Sequence, residues 1–258
     1  MYLAFANHMR VFHVDDQAFP FSASRTRSRT GLVGSGGNLE TGCLLAAYSR
    51  GIFPWYPEGW PVMWFSPAPR LMLRPEAVRI SHSMRSLIRK GQYRVSFDLA
   101  FSEVIGRCRR IPRNGQTDTW IHKEVVEAFT RLHELGLAHC TEVWEGSEPV
   151  GGLYGLAIGR MFCGESMFSI KPNTSKLALV ALCSELVQRG FHWIDCQQDT
   201  EHLKSMGASL YSRKAFDNIL EENRQYPIIG ESWARPAHVF SLEQIVFENK
   251  AGDGPAAN

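Results

Sequence analysis

A chain of 258 residues, 44% hydrophobic and 21% charged, has enough apolar material for one large core or two modest ones, which excludes a disordered or fibrous protein. Its formal net charge of +2 selects no class of partner, and no apolar window is long enough for a membrane span. The six cysteines include no close pair and no C-x-x-C, and the start lacks the basic and apolar regions of a signal peptide, so a reduced, cytoplasmic protein is expected.

The first thirty residues end in SASRTRSRT, a polar, basic run that reads as a surface loop. In GLVGSGGNL, Leu39 stands where a dinucleotide fingerprint needs glycine, and no lysine follows to make a P-loop. These glycines read as a tight turn into the helix TGCLLAAYSRG, with Leu44, Leu45, Ala47 and Tyr48 apolar and Gly51 as its stop. Five prolines exclude regular helix from IFPWYPEGWPVMWFSPAPR. Its aromatics, Trp55, Tyr56, Trp60, Trp64 and Phe65, suit either a small core or a platform for nucleobases, each stacked base contributing roughly 1–3 kcal/mol.

From Arg79 to Arg113 nine cations face two acids, Asp98 and Glu103, a local excess of +7 that the net charge hides. Such clustering makes either a solvated face or the footprint of a polyanion, with RNA phosphates the natural choice. WIHKEVVEAFTRLHELGLAH is predicted as an amphipathic helix with Val125, Val126, Phe129, Leu132 and Leu135 inward. CTEVWEGSEPVGG reads as a strand, a turn at Glu145-Gly146-Ser147 and a return strand.

The runs VGGLYGLAI and MFCGESMFS, joined at Gly159-Arg160, predict a β-hairpin. A helix capped by Asn173 then carries Leu177, Leu179, Val180, Leu182, Leu186 and Val187 and stops at Gly190. FHWIDCQ is predicted as a buried strand on which Asp195 and Gln197, two apart, project from one face. With Glu165 of CGES they set three polar groups in apolar strands, which is costly unless they have partners. A structural network and a catalytic site both meet that condition. Cys163 and Cys196 are expected to face the core, against a thiol nucleophile. The His and Cys spacings match no metal site. After Phe216 the chain reads as polar and loop-like, and residues 247–258 as a disordered tail. The order of strands and helices predicts a mixed sheet with flanking helices, an α/β (α+β) fold.

Motifs along most of the chain, GGNL, RGIFPW, WFSP, TWI, GGLYGLAIGRMFCGESMFS, NTSKLAL, WIDCQ and HLKSMGA, resemble in content and order those of the leucyl/phenylalanyl-tRNA–protein transferases. The resemblance implies a small N-terminal domain over residues 1–68 and, over 69–246, the mixed-sheet fold of the GCN5-related N-acetyltransferases. It implies a monomeric aminoacyltransferase without cofactor or metal. Such an enzyme moves Leu or Phe, less readily Met, from aminoacyl-tRNA to the N-terminal Arg or Lys of a protein, marking it for N-degron proteolysis. Asp195, Gln197 and Glu165 are then catalytic: the first two polarise or orient the attacking amine, and Glu165 meets the acceptor's basic end. The aminoacyl-adenosine falls to Trp55, Trp120, Leu153, Phe162, Met167 and Ser169, and the tRNA acceptor stem to Arg85, Arg89 and Lys90. Leu153 and Asn38 replace the methionine and aspartate usual in that family.

Two other readings compete. Acetyl-coenzyme A needs a row of backbone donors around its pyrophosphate, yet the connection SIKPNTS has no glycine and one proline. An RNA-binding module without activity would use the basic segment and the aromatic loop and leave the acids as a structural network.

Overall fold

A computed structural model of the protein describes residues 2–4, 9–20, 30–111 and 119–245; most of the run SASRTRSRT, Arg113 and the tail from 247 onward lie outside the described residues. The first part of the chain gives β1 (Tyr2–Ala4), β2 (Arg10–Phe12), β3 (Leu32–Ser35), α1 (Thr41–Tyr48), β4 (Phe53–Pro54) and β5 (Met63–Phe65). The middle gives β6 (Arg70–Leu73), α2 (His82–Arg89), β7 (Arg94–Phe97), α3 (Phe101–Arg110), α4 (Lys123–Glu134), β8 (Ala138–Glu145), β9 (Glu148–Ile158) and β10 (Met161–Ser169). The last part gives α5 (Thr174–Gln188), β11 (Trp193–Gln197), α6 (Glu201–Ser205), β12 (Ser209–Tyr211), α7 (Arg213–Asn223), β13 (Ile228–Gly230) and β14 (Arg235–Val239).

An eight-stranded sheet in the order β12-β6-β11-β10-β9-β8-β7-β14 carries the fold. Its neighbours pair antiparallel except β10 and β11, which run parallel because α5 crosses over between them. The expected mixed sheet with helices on both faces is therefore present. One face packs on α1, α3, α4 and α7 through Leu44, Ile105, Phe129 and Phe216, and the other on α2 and α5 through Met84, Ile88, Ala178 and Leu182. The segment before residue 68 is not set apart by its packing: Leu44, Phe53 and Trp64 share one core with Tyr154 and Phe168 of the large sheet.

Periodicity placed the central elements correctly. Gly159 turns the β9–β10 hairpin at φ 59°, and α5 buries Leu177, Leu179, Val180, Leu182 and Leu186. In α4, Val125, Phe129 and Leu132 are fully buried, whereas Val126 and Leu135 are only half-buried and Ala128 takes part of the inner face. Asn173 precedes α5 in a left-handed conformation, φ 67°, but its side chain makes no capping bond. The segment after Phe216 is less loop-like than expected. Helix α7 continues to Asn223 because Phe216, Ile219, Leu220 and Asn223 repeat at helical spacing and are all buried. Beyond it, β13 and β14 form by pairing with the distant strands β2 and β7, which local sequence does not announce.

Candidate functional site

Strands β10 and β11 pair over three residues only, Met161 with Trp193, Phe162 with Ile194 and Cys163 with Asp195. Each then meets an irregularity, between Gly164 and Ser166 in its pairing with β9 and between Asp195 and Gln197 in its pairing with β6. The second is sharp, because Gln197 takes a left-handed conformation, φ 63°, that a non-glycine residue rarely adopts. Past these bulges the two strands part, and a cavity of about 350 Å³ fills the gap. That volume suits a small ligand or the end of a larger one.

Chain segments from both faces of the sheet line the cavity. Leu153, Phe162, Met167, Ile194 and, from α5, Leu179 and Leu182 make an apolar wall; Phe53, Trp55 and Trp120 supply aromatic rings. Glu165, Gln197, Gln198, Thr200 and His202 supply polar groups. Of the aromatic loop, Trp64 and Tyr56 belong to the core, while Trp55 remains 37% exposed at the cavity and rests edge-on against Phe65.

Glu165 is the polar centre. Its Oε1 accepts hydrogen bonds from the Tyr48 hydroxyl at 2.8 Å and from the Gln197 amide Nε2 at 2.9 Å. Its Oε2 is shielded from solvent and, among the described residues, has no hydrogen-bond partner. Burial raises the carboxyl to about 8, a rise that the Tyr48 and Gln197 hydrogen bonds oppose, so the group holds a proton at neutral pH. The Tyr48 hydroxyl is itself pushed well above its ordinary value, by burial first and then by Glu165.

Asp195 departs from expectation. The bulge changes strand parity: Asp195 stands opposite Met72, in the core of one sheet face, and Gln197 opposite Leu71, in the core of the other. Gln197 lines the cavity and Asp195 does not, so the two do not make the shared face that their spacing predicts. Asp195 is 2% exposed, does not line the cavity, and is held by Arg70 through Nε to Oδ1 and Nη2 to Oδ2, both 2.7 Å. It meets Gln197 through the backbone N–H of Gln197, which donates to Oδ1 at 2.9 Å.

Trp55, Trp120, Leu153, Phe162 and Met167 are brought together around the cavity with Glu165 and Gln197. Ser169 is not among its lining residues, because its Oγ is turned into the β10–α5 connection and donates to the Lys171 carbonyl at 2.8 Å. Cys196, expected in the core, lines the cavity, while Cys163 is buried behind Glu165. Burial pushes both thiols upward, which keeps them protonated and removes them as nucleophiles. Asn38 keeps a local role, accepting from the Glu40 backbone at 3.0 Å at the entrance to α1. Tyr48, Phe53, Leu179, Leu182 and His202 join the site unannounced. Tyr48, which reaches Glu165 from behind the cavity, and the two leucines, which line it, carry ordinary core periodicity, and nothing in their own sequence marks them for the site.

Arg85 is half-buried and Arg89 and Lys90 are exposed on and just after α2, which packs against α5. Elsewhere in the basic segment the charge is partly answered, since Arg107 pairs with Glu103 and Glu148. Among the described residues no group of three or more His, Cys, Asp or Glu is placed to hold a metal ion, no helix is long and apolar enough to cross a membrane, and all six cysteines are free.

Residues 37–68 match the family model of the leucyl/phenylalanyl-tRNA protein transferase N-terminal domain, and residues 72–221 match that of leucyl/phenylalanyl-tRNA protein transferase. A leucyl/phenylalanyl-tRNA–protein transferase of Syntrophobacter fumaroxidans is 48% identical over 87% of this chain and 96% of its own. Proteins of the same name from Stutzerimonas stutzeri and Myxococcus xanthus are 47% and 43% identical, over 83% and 86% of this chain and 94% and 95% of theirs. With models covering most of the chain and relatives matched nearly end to end, this protein belongs to the leucyl/phenylalanyl-tRNA–protein transferase family.

Proposed function

We propose that the cavity between β10 and β11 holds the aminoacyl end of a Leu- or Phe-tRNA, less readily of a Met-tRNA, and passes the aminoacyl group to the N-terminal Arg or Lys of a protein. That product fits a mark for N-degron proteolysis. The observation that carries the reading is the bare Oε2 of Glu165, a buried carboxyl oxygen without a partner inside a largely apolar cavity.

The chemistry is aminolysis of an ester. The acceptor's α-ammonium loses a proton, and the neutral nitrogen attacks the ester carbonyl carbon. The new C–N bond forms, the C–O bond to the ribose breaks, and the ribose oxygen leaves with a proton. An α-amino group titrates near 7.7–8.0, and Glu165 titrates at about 8. At neutral pH both groups hold their protons, so the amine's proton passes to the ionised fraction of Glu165, a fraction that grows as the pH approaches 8; because the two values match, that transfer costs little free energy. Gln197 holds Oε1 and leaves Oε2 for the amine, or for the basic side chain beside it. Trp55 and Trp120 offer rings to the terminal adenosine, and Leu153, Phe162 and Met167 offer apolar contact to the donor side chain. A β-branched donor such as Val or Ile is stiff next to the reacting carbon and fits such a wall less well. Arg85, Arg89 and Lys90 supply the charge for the acceptor stem.

The test incubates the purified protein with labelled Leu-tRNA and peptides beginning with Arg, Lys or Asp. Label is expected in the Arg and Lys peptides only. Binding of tRNA without transfer would favour the RNA-binding module, and acetyl transfer from acetyl-coenzyme A to the same peptides would favour an acetyltransferase.

A further inference from the structure

We infer that Arg70 is a positioning residue for the transfer: by clamping Asp195 it fixes the left-handed turn at Gln197 and so aims the Gln197 amide at Glu165. The inference rests on the function proposed above and concerns how its site is assembled.

Each link is a contact. Arg70 is 1% exposed, and its guanidinium lies between the rings of Phe53 and Phe216, 4.9 and 4.8 Å from their centroids. Stacked in this slot, its fork is held in one orientation and presents Nε and Nη2 to the two oxygens of Asp195. Asp195 Oδ1 in turn accepts the backbone N–H of Gln197, the residue whose φ of 63° takes it out of the regular strand. From that backbone the Gln197 side chain reaches Glu165 Oε1 at 2.9 Å. Asp195 has both oxygens occupied and does not line the cavity, so it meets no substrate atom and acts through Gln197. Lysine in place of Arg70 keeps the charge but loses both the fork and the flat stack. A side chain or backbone displaced by about 1 Å at such a site costs on the order of 10²-fold in rate.

The experiment measures single-turnover transfer of labelled leucine from Leu-tRNA to an Arg-initiated peptide. It uses the wild type, Arg70→Lys, Asp195→Asn, the double variant, and Phe216→Leu, which loosens the slot from outside the cavity. Far-UV circular dichroism at the assay temperature checks that each is folded. Arg70→Lys is expected to lose about 10²-fold in kcat with KM for Leu-tRNA changed less than about threefold, and Phe216→Leu to lose about tenfold in the same parameter. Because Arg70 and Asp195 serve one link, the double variant is expected to be no more than about threefold slower than the worse single variant. The rise of rate with pH is expected to survive in Asp195→Asn and to move to lower pH, since Tyr48 from α1, Gln197 from β11, Cys163 on its own strand and Arg70 from β6 remain around Glu165 while the Asp195 charge, which raises its carboxyl, is gone. Losses that multiply in the double variant, or a flat pH profile in Asp195→Asn, would overturn the inference and make Asp195 a direct participant. If Arg70→Lys fails to fold, an unchanged kcat in folded Phe216→Leu overturns it instead. An inactive wild type overturns the assigned reaction together with the role of Arg70, whereas an active wild type with unaffected variants overturns the role alone.

Discussion

A carboxyl group that keeps its proton until about pH 8 makes the folded chain less stable as the medium becomes alkaline. Unfolded, Glu165 would ionise near the ordinary 4.5; folded, it does so at about 8. Between these values the folded state binds the proton that the unfolded state has given up, so stability falls with rising pH across that window and levels off above it. Glu165→Gln removes the titrating group. It is expected to raise stability by a few kcal/mol at pH 9 and scarcely at pH 4, while transfer is lost; thermal melts at the two pH values check this. An equal gain at both would mean that Glu165 does not titrate in this range. Tyr48→Phe acts in the other direction on the same group. The Tyr48 hydrogen bond lowers the Glu165 carboxyl, so its removal moves the rising limb of the pH–rate profile to higher pH. The acceptor amine, which titrates nearby, is untouched by this change, so an unmoved limb would assign the profile to the amine alone.

Two elements carry the buried acid and the cations proposed to meet tRNA, and each has a sensitive point. Strands β9 and β10 approach closely at Gly155, where an added Cβ would lie 2.3 Å from the Cys163 carbonyl oxygen and 2.5 Å from the Phe162 ring. Gly155→Ala must therefore push apart the strand that carries Glu165, with a loss of roughly 3 kcal/mol expected in urea unfolding. Helix α2 offers the other test. Met84 and Ile88 bury one side of it, and Arg89 and Lys90 are exposed at its end. Arg89→Ala combined with Lys90→Ala is expected to weaken tRNA binding and to reduce the slope of log K against log salt by about 2, read by filter binding at several salt concentrations. The hairpin was legible in the sequence from its glycine-joined apolar runs, whereas of α2 only the cluster of cations was read. The bulge at Asp195–Gln197 was not. A period-2 reading puts the two on one face, and only the distant partner Arg70, 125 residues away in sequence, shows why the strand breaks there. The family motifs led to Glu165, Gln197 and the two tryptophans, but sequence spacing could not say that Asp195 turns inward.

The site is a property of the whole molecule, since its walls come from parts of the chain that sequence divides. Phe53 and Trp55 precede residue 68, whereas Glu165 and Gln197 follow it, and all four line one cavity. Behind that cavity Arg70 of β6 is wedged between Phe53 of β4 and Phe216 of α7. Trp64 is fully buried in the same core as Phe129 and Tyr154, and β2 near the start of the chain pairs with β13 near its end. Although β3, β5 and β4 pair in a sheet of their own, their side chains share a core with the large sheet, so the chain is expected to unfold in one cooperative step. In urea, tryptophan fluorescence, which reports Trp55 and Trp64 among others, and far-UV circular dichroism, which reports the sheet and helices, should then give coincident transitions. Two separated transitions would mean that residues before 68 fold as a unit of their own. In that case the early segment would open while the sheet stays folded, and Leu-tRNA binding should fail at the first transition, because Trp55, one of the two rings proposed for the adenosine, would leave the cavity before the acid does.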